Sequence, residues 1–111
     1  DQSQIVPIDR IKVGEAVNIQ GKIMAMAEKN TRRGLALLTI MLADDTGVVQ
    51  LNFFNQDYLK KKLKVQKSSL FVHGKVGYAY GGYGQLAISQ IISFDVINND
   101  NIDSEERIFA I

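Results

Sequence analysis

Phe54 and Tyr58 stand four residues apart, immediately after the alternating run Val48–Phe53. Aromatic rings at the end of a strand can stack on nucleobases or cap a hydrophobic core. Behind them come Lys60, Lys61, Lys62, Lys64 and Lys67, which could meet phosphates or simply solvate a helix. A second basic group, Lys29, Arg32 and Arg33, lies in the polar stretch 28–34. A third candidate is the run 77–84, where Tyr78, Tyr80 and Tyr83 stand among glycines. These tyrosines could stack on bases or pack on their own hairpin. Rings interleaved with cations are the chemistry of single-stranded nucleic-acid recognition: the cations track the backbone and the rings receive the bases.

Residue types that would support catalysis are sparse. His73 is the sole histidine and there is no cysteine, so neither a disulfide framework nor a zinc knuckle is available. Asp44 and Asp45 are adjacent, point apart and read as turn residues rather than an acid–base pair. Gly21-Lys22 and Gly74-Lys75 are followed by Ile23 and Val76, not by Ser or Thr, and lack the upstream glycine of a nucleotide-phosphate loop. The expectation is a binding module that is not an enzyme and holds no cofactor or metal of its own. Charge is unevenly spread: residues 1–92 carry 12 basic and 7 acidic side chains, whereas residues 93–111 carry 1 basic and 5 acidic. A basic body with an acidic tail favours an anionic partner for the body. No apolar run approaches the ~20 residues of a membrane span. The lack of cysteine fits a reducing cytoplasm, and a monomer without membrane contact is expected.

These residues must be positioned by short strands. Residues 1–15, with Pro7, Ile5, Ile8, Ile11 and Val13, read as a lead-in segment docked on the body. Strand one is expected over 16–28, with Gly21 marking a bend or bulge. Met24 and Met26 break its alternation, so its second half should be buried on both sides. Strand two covers 35–43 and strand three 48–54. Between them Asp44-Asp45-Thr46-Gly47 reads as a turn in which Gly47 takes a positive φ. In strand three Val49, Leu51 and Phe53 should face the core, and Val48, Gln50 and Asn52 water. By the same parity Phe54 belongs on the wet face. A short helix follows over 55–64, with Asn55 as N-cap and Leu59 and Leu63 inward. Strand four covers 69–78, with His73 at its surface or half-buried, and strand five 85–97. Residues 98–111 read as an acidic linker.

Three strands, a short helix and two more strands make an all-β, five-stranded Greek-key barrel of the oligonucleotide/oligosaccharide-binding (OB) type. Such barrels bind across strands two and three and the loops joining strands one–two and four–five. Those loops are the basic 28–34 and the tyrosine–glycine 77–84.

The sequence resembles the wedge domain of the RecG family of bacterial ATP-dependent DNA helicases over nearly its whole length. The resemblance rests on Pro7-Ile8 with Ile11, Gly14 and Val17, on Thr31-Arg32-Arg33, and on His73-Gly74-Lys75-Val76. Its most diagnostic part is Asp44-Asp45-Thr46-Gly47 followed by Phe53-Phe54-Asn55-Gln56-Asp57-Tyr58-Leu59. The stretch 86–90 lacks a proline that many members carry near the end of strand five. The resemblance implies a module that separates strands at a replication fork or Holliday junction during DNA repair and recombination. Phe54 and Tyr58 would stack on the last base pairs, and Lys29, Arg32, Arg33, Lys61, Lys62, Tyr80 and Tyr83 would contact the nucleic acid. It also implies branched or single-stranded DNA and the other domains of its own chain as partners. ATP and Mg would belong to a motor domain reached through Arg107–Ile111. Two alternatives stay open: an OB module of the tRNA-anticodon type, and a docking barrel without nucleic-acid contact.

Overall fold

The computed structural model describes residues 4–54, 69–79 and 84–97. The helix expected over 55–64, the acidic segment 98–111 and the side chains of Tyr58, Lys61, Lys62, Tyr80 and Tyr83 lie outside them. Among the described residues there are five strands: β1 (Ala16–Asn30), β2 (Ala36–Ala43), β3 (Val48–Phe53), β4 (Ser69–Tyr78) and β5 (Leu86–Ile97). They close a barrel in the order β1-β2-β3-β5-β4, with β4 pairing back to β1. All neighbours are antiparallel except β3 and β5, which are parallel and share only the pairs Gln50–Ala87 and Leu51–Ile88.

β1 serves two neighbours. Its first half pairs with β4 and its second half with β2, and the exchange falls at Lys22, which faces Ser69 on one side and Ala43 on the other. A strand that changes partner must bend, and Gly21 permits it: a Cβ there would run into the Ala43 carbonyl oxygen. The bulge itself lies three residues on, where the register skips from Ile23 to Ala25. Met24 is the extra residue and stands 66% exposed. The skip reverses the parity, so Ile23 and Met26 both pack against the core while Ala25 and Ala27 are exposed. The expected burial of this half on both sides is therefore corrected. The methionines interrupt the alternation because of a bulge, not because a second layer covers them.

Ile19, Ile40, Leu42, Leu51, Leu70, Val72 and Ile88 fill the barrel with essentially no exposure. Fully buried aliphatic side chains of this kind each stabilise by about 1.5–3 kcal/mol. Phe53 joins them and meets Phe94 edge-to-face, centroids 5.2 Å apart. One end of the barrel is closed by a 3-10 turn, Ile8–Arg10, which inserts Ile8 and is followed by the buried Ile11. Just upstream, the Val6 amide donates to the Asn18 carbonyl at 2.8 Å, along the edge of β1 that β4 leaves free.

The turn between β2 and β3 holds that closure in place. Asp44 Oδ1 accepts from the Thr46 amide (2.7 Å), the Thr46 hydroxyl (2.6 Å) and the Gly47 amide (3.0 Å), while Oδ2 accepts from the Ile8 amide (2.9 Å). Thr46 Oγ1 in turn accepts from the Asp9 amide at 3.1 Å. Partial burial acts to raise the Asp44 pKa, but these donors outweigh it and hold the carboxyl below its ordinary value. Gly47 does not take a positive φ; among the described glycines Gly14, Gly34 and Gly84 do. The expectation for this turn is corrected accordingly: the aspartate side chain shapes it by organising successive amides around one oxygen.

Candidate nucleic-acid interface

The outward face of the second half of β1, β2 and β3 is a short platform whose rows follow from the register. Ala25, Met41 and Gln50 form one row, and Ala27, Thr39 and Asn52 the next. Beyond them Lys29 pairs with Leu37, and Phe54 follows Phe53, the partner of Leu38. With strands about 4.8 Å apart, Lys29 and Phe54 sit two strand spacings from each other at the same end of the platform. Between them on β2 lies Leu37, which is buried.

Sequence-based parity places Gln50 and Asn52 in water, and here the structure differs. Asn52 is 3% exposed and Gln50 half-buried. The Gln50 side-chain amide donates to Asn52 Oδ1 at 2.8 Å, and the Thr39 hydroxyl donates to the Ala27 carbonyl at 3.3 Å. No buried side-chain polar atom among the described residues lacks a partner. Thr39, Gln50 and Asn52 are candidate interface residues that sequence reasoning did not single out. Their signal was present as polar residues at alternate positions of central strands, but their burial is set by the tertiary fold.

Phe54 is 41% exposed, so it is partly packed and partly open. Arg32 and Arg33 are exposed on the tight loop joining β1 to β2. That loop is tied by the Thr31 amide donating to the Leu35 carbonyl (2.8 Å) and the Leu35 amide donating to Thr31 Oγ1 (3.1 Å). Gly34, at φ 79°, makes the reversal. Lys29 is exposed at the base of the same loop. Of the nine interface residues expected from sequence, four are therefore described, and Lys29, Arg32, Arg33 and Phe54 fall at one end of the platform. The loop joining β4 to β5 is at the opposite end, closed by the Ala79 amide donating to the Gln85 carbonyl at 2.8 Å. Tyr78 lies at its base and is 59% exposed.

His73 lies away from this platform. It is half-buried on β4, with Nδ1 2.8 Å from Asn18 Oδ1. Among the described residues no three His, Asp or Glu side chains gather in a way that could hold a metal ion. None of the described helical segments is long and apolar enough to cross a membrane.

A closed five-stranded barrel in this strand order, with its polar and aromatic groups gathered across β2 and β3, is an OB fold. The second OB-fold domain of replication protein A from Methanococcus maripaludis has the same architecture, with a TM-score of 0.63 at 22% identity over 86% of this chain and 97% of that one. The RecG wedge domain family matches residues 1–105, and the chain belongs to that family. It is 33% identical over 93 residues to the ATP-dependent DNA helicase RecG of Thermotoga maritima, a match covering 82% of this chain and 12% of that protein. It also superposes on RecG in a structure bound to a three-way DNA junction, with a TM-score of 0.67 and 34% identity, covering 87% of this chain and 13% of the other. The chain thus spans about an eighth of the RecG proteins it matches.

Proposed function

We propose that this chain is the DNA-engaging wedge of a RecG-type helicase, a non-enzymatic module that binds branched or single-stranded DNA and parts its strands. The observation that carries this reading is the gathering of Lys29, Arg32, Arg33 and the half-open Phe54 at one end of the β1–β2–β3 platform. Exposed cations there can follow the phosphates of a strand, and an aromatic face can receive the base pair where the duplex ends. Stacking of this kind contributes about 1–3 kcal/mol per base and tolerates any sequence. Tyr58 completes the stacking pair, and Lys61, Lys62, Tyr80 and Tyr83 extend the contact surface. Work against base pairing requires a motor, so ATP hydrolysis and its Mg belong to other domains of a full-length RecG-like protein, with residues 98–111 as the linker toward them. The setting is the bacterial cytoplasm, in fork remodelling during repair and recombination, with the module monomeric.

The test is binding of this chain to a three-way junction, a forked DNA and a plain duplex of the same sequence, followed by anisotropy over a range of salt. The wedge reading expects the branched DNAs to bind more tightly than the duplex and log K to fall linearly with log salt, since phosphate contacts release counterions. Absence of binding at low salt would favour a docking barrel instead.

A further inference from the structure

β3 and β5 run side by side for only two residue pairs. Before that point Val48 and Val49 diverge from Gln85 and Leu86, and the gap opens into a pocket of about 360 Å³. That is near the lower end of the roughly 300–1,000 Å³ of small-ligand sites. Met41, Val48 and Leu86 supply apolar walls, Gln50 and Gln85 bring side-chain amides, and the acidic Asp9 is also in the lining. The pocket is contiguous with the Ala25–Met41–Gln50 row of the platform, at the end away from Phe54 and the basic loop.

We infer that this pocket takes one unpaired nucleobase from a strand that has left the duplex, an inference that rests on the wedge reading above. A base is a flat apolar body with a polar edge, and the lining has the matching form: apolar walls with amides that can both donate and accept. Gln50 gives one N–H to Asn52, which leaves its oxygen and second N–H for a ligand and restrains the amide. The Asp9 carboxylate repels phosphate, so the base and not the backbone enters, while the backbone runs toward the cations at the other end. The two ends then play different parts: Phe54 meets the last base pair, and the β3–β5 pocket retains a base from the strand already released.

The inference is tested with a forked DNA whose single-stranded arm carries one abasic site, moved nucleotide by nucleotide along the arm. The abasic site removes a base and keeps every phosphate. With this chain one position should lose affinity about tenfold, the scale of one well-packed base, and its neighbours much less. Val48 is 55% exposed and lines the pocket, so Val48→Trp fills it from the surface. This variant should bind the intact fork about tenfold more weakly and be indifferent to the abasic site, with an unchanged melting temperature. Should Val48→Trp fail to fold, Gln85→Ala, which removes an exposed amide, serves in its place and should reduce the abasic penalty. Salt-dependent fork binding without a position-specific penalty, or with the same penalty in a folded variant, overturns the pocket and leaves the wedge reading standing. Absence of salt-dependent fork binding overturns both.

Discussion

Asp44→Ala should detach the lead-in segment from the barrel, and its cost can be worked from the geometry. The carboxylate accepts from the amides of Ile8, Thr46 and Gly47 and from the Thr46 hydroxyl. The two Thr46 donors are exposed and regain water when the carboxylate is removed. The Ile8 and Gly47 amides are partly buried, and a buried donor left without a partner costs about 1–3 kcal/mol. Because both are only partly buried, the expected loss is about 2–4 kcal/mol, or roughly 8–17 °C in melting temperature for a domain of this size. Asp44→Asn should be milder, since its remaining oxygen can keep the amides of Thr46 and Gly47, but its NH2 group faces the Ile8 N–H. Thermal melts by circular dichroism measure the stability, and hydrogen exchange at the Ile8 amide reports the detachment. The same carboxyl predicts a pH effect. Its folded pKa lies below its unfolded value, so its contribution is complete above about pH 4 and is lost as pH falls through the folded pKa. Below pH 4 the difference in melting temperature between wild type and Asp44→Asn should shrink. A shift of under 3 °C for Asp44→Ala, with Ile8 protection unchanged, would refute the argument.

Four further outcomes are expected. Gly21→Ala places a methyl against the Ala43 carbonyl where β1 exchanges partners, and should lower stability by about 1–3 kcal/mol in a denaturant titration. Phe53→Ala removes a core ring packed on Phe94 and should lower stability by about 3–5 kcal/mol; Phe54→Ala should lower it far less but weaken junction binding by about 1–3 kcal/mol, more with Tyr58→Ala added. Replacing Arg32 and Arg33 together with Ala should weaken binding to all DNA sequences alike and reduce the salt slope by about 2, whereas an unchanged slope would make the loop merely solvated.

Much of this architecture is legible without coordinates because it depends on local chemistry. The alternation in Val49, Leu51 and Phe53 marks a strand with one apolar face, and Val49 and Leu51 are indeed fully enclosed. The polar stretch 28–34 marks a reversal, although β1 runs on through Asn30 before it, and the Asp-Asp-Thr-Gly turn is visible as a turn because its residue types stabilise one. The out-of-phase Phe54 is equally visible, and it is 41% exposed. Other features depend on residues far apart in the chain. The bulge at Met24 answers to β2 across the sheet, and no local pattern distinguishes it from a strand buried on both faces. Asn52 alternates as a wet residue would, yet it is buried in the fold and Gln50 bonds it. The parallel contact of β3 with β5, which closes the barrel and opens the pocket beside it, joins segments some 37 residues apart, as in Gln50–Ala87. Likewise Asp44 supplies the turn by its type, but its grip on the Ile8 amide, 36 residues away, exists only once the barrel has formed. Residue type and spacing decide which segments are strands and turns. Which of them meet, and how much water each polar group keeps, is decided by closure of the sheet.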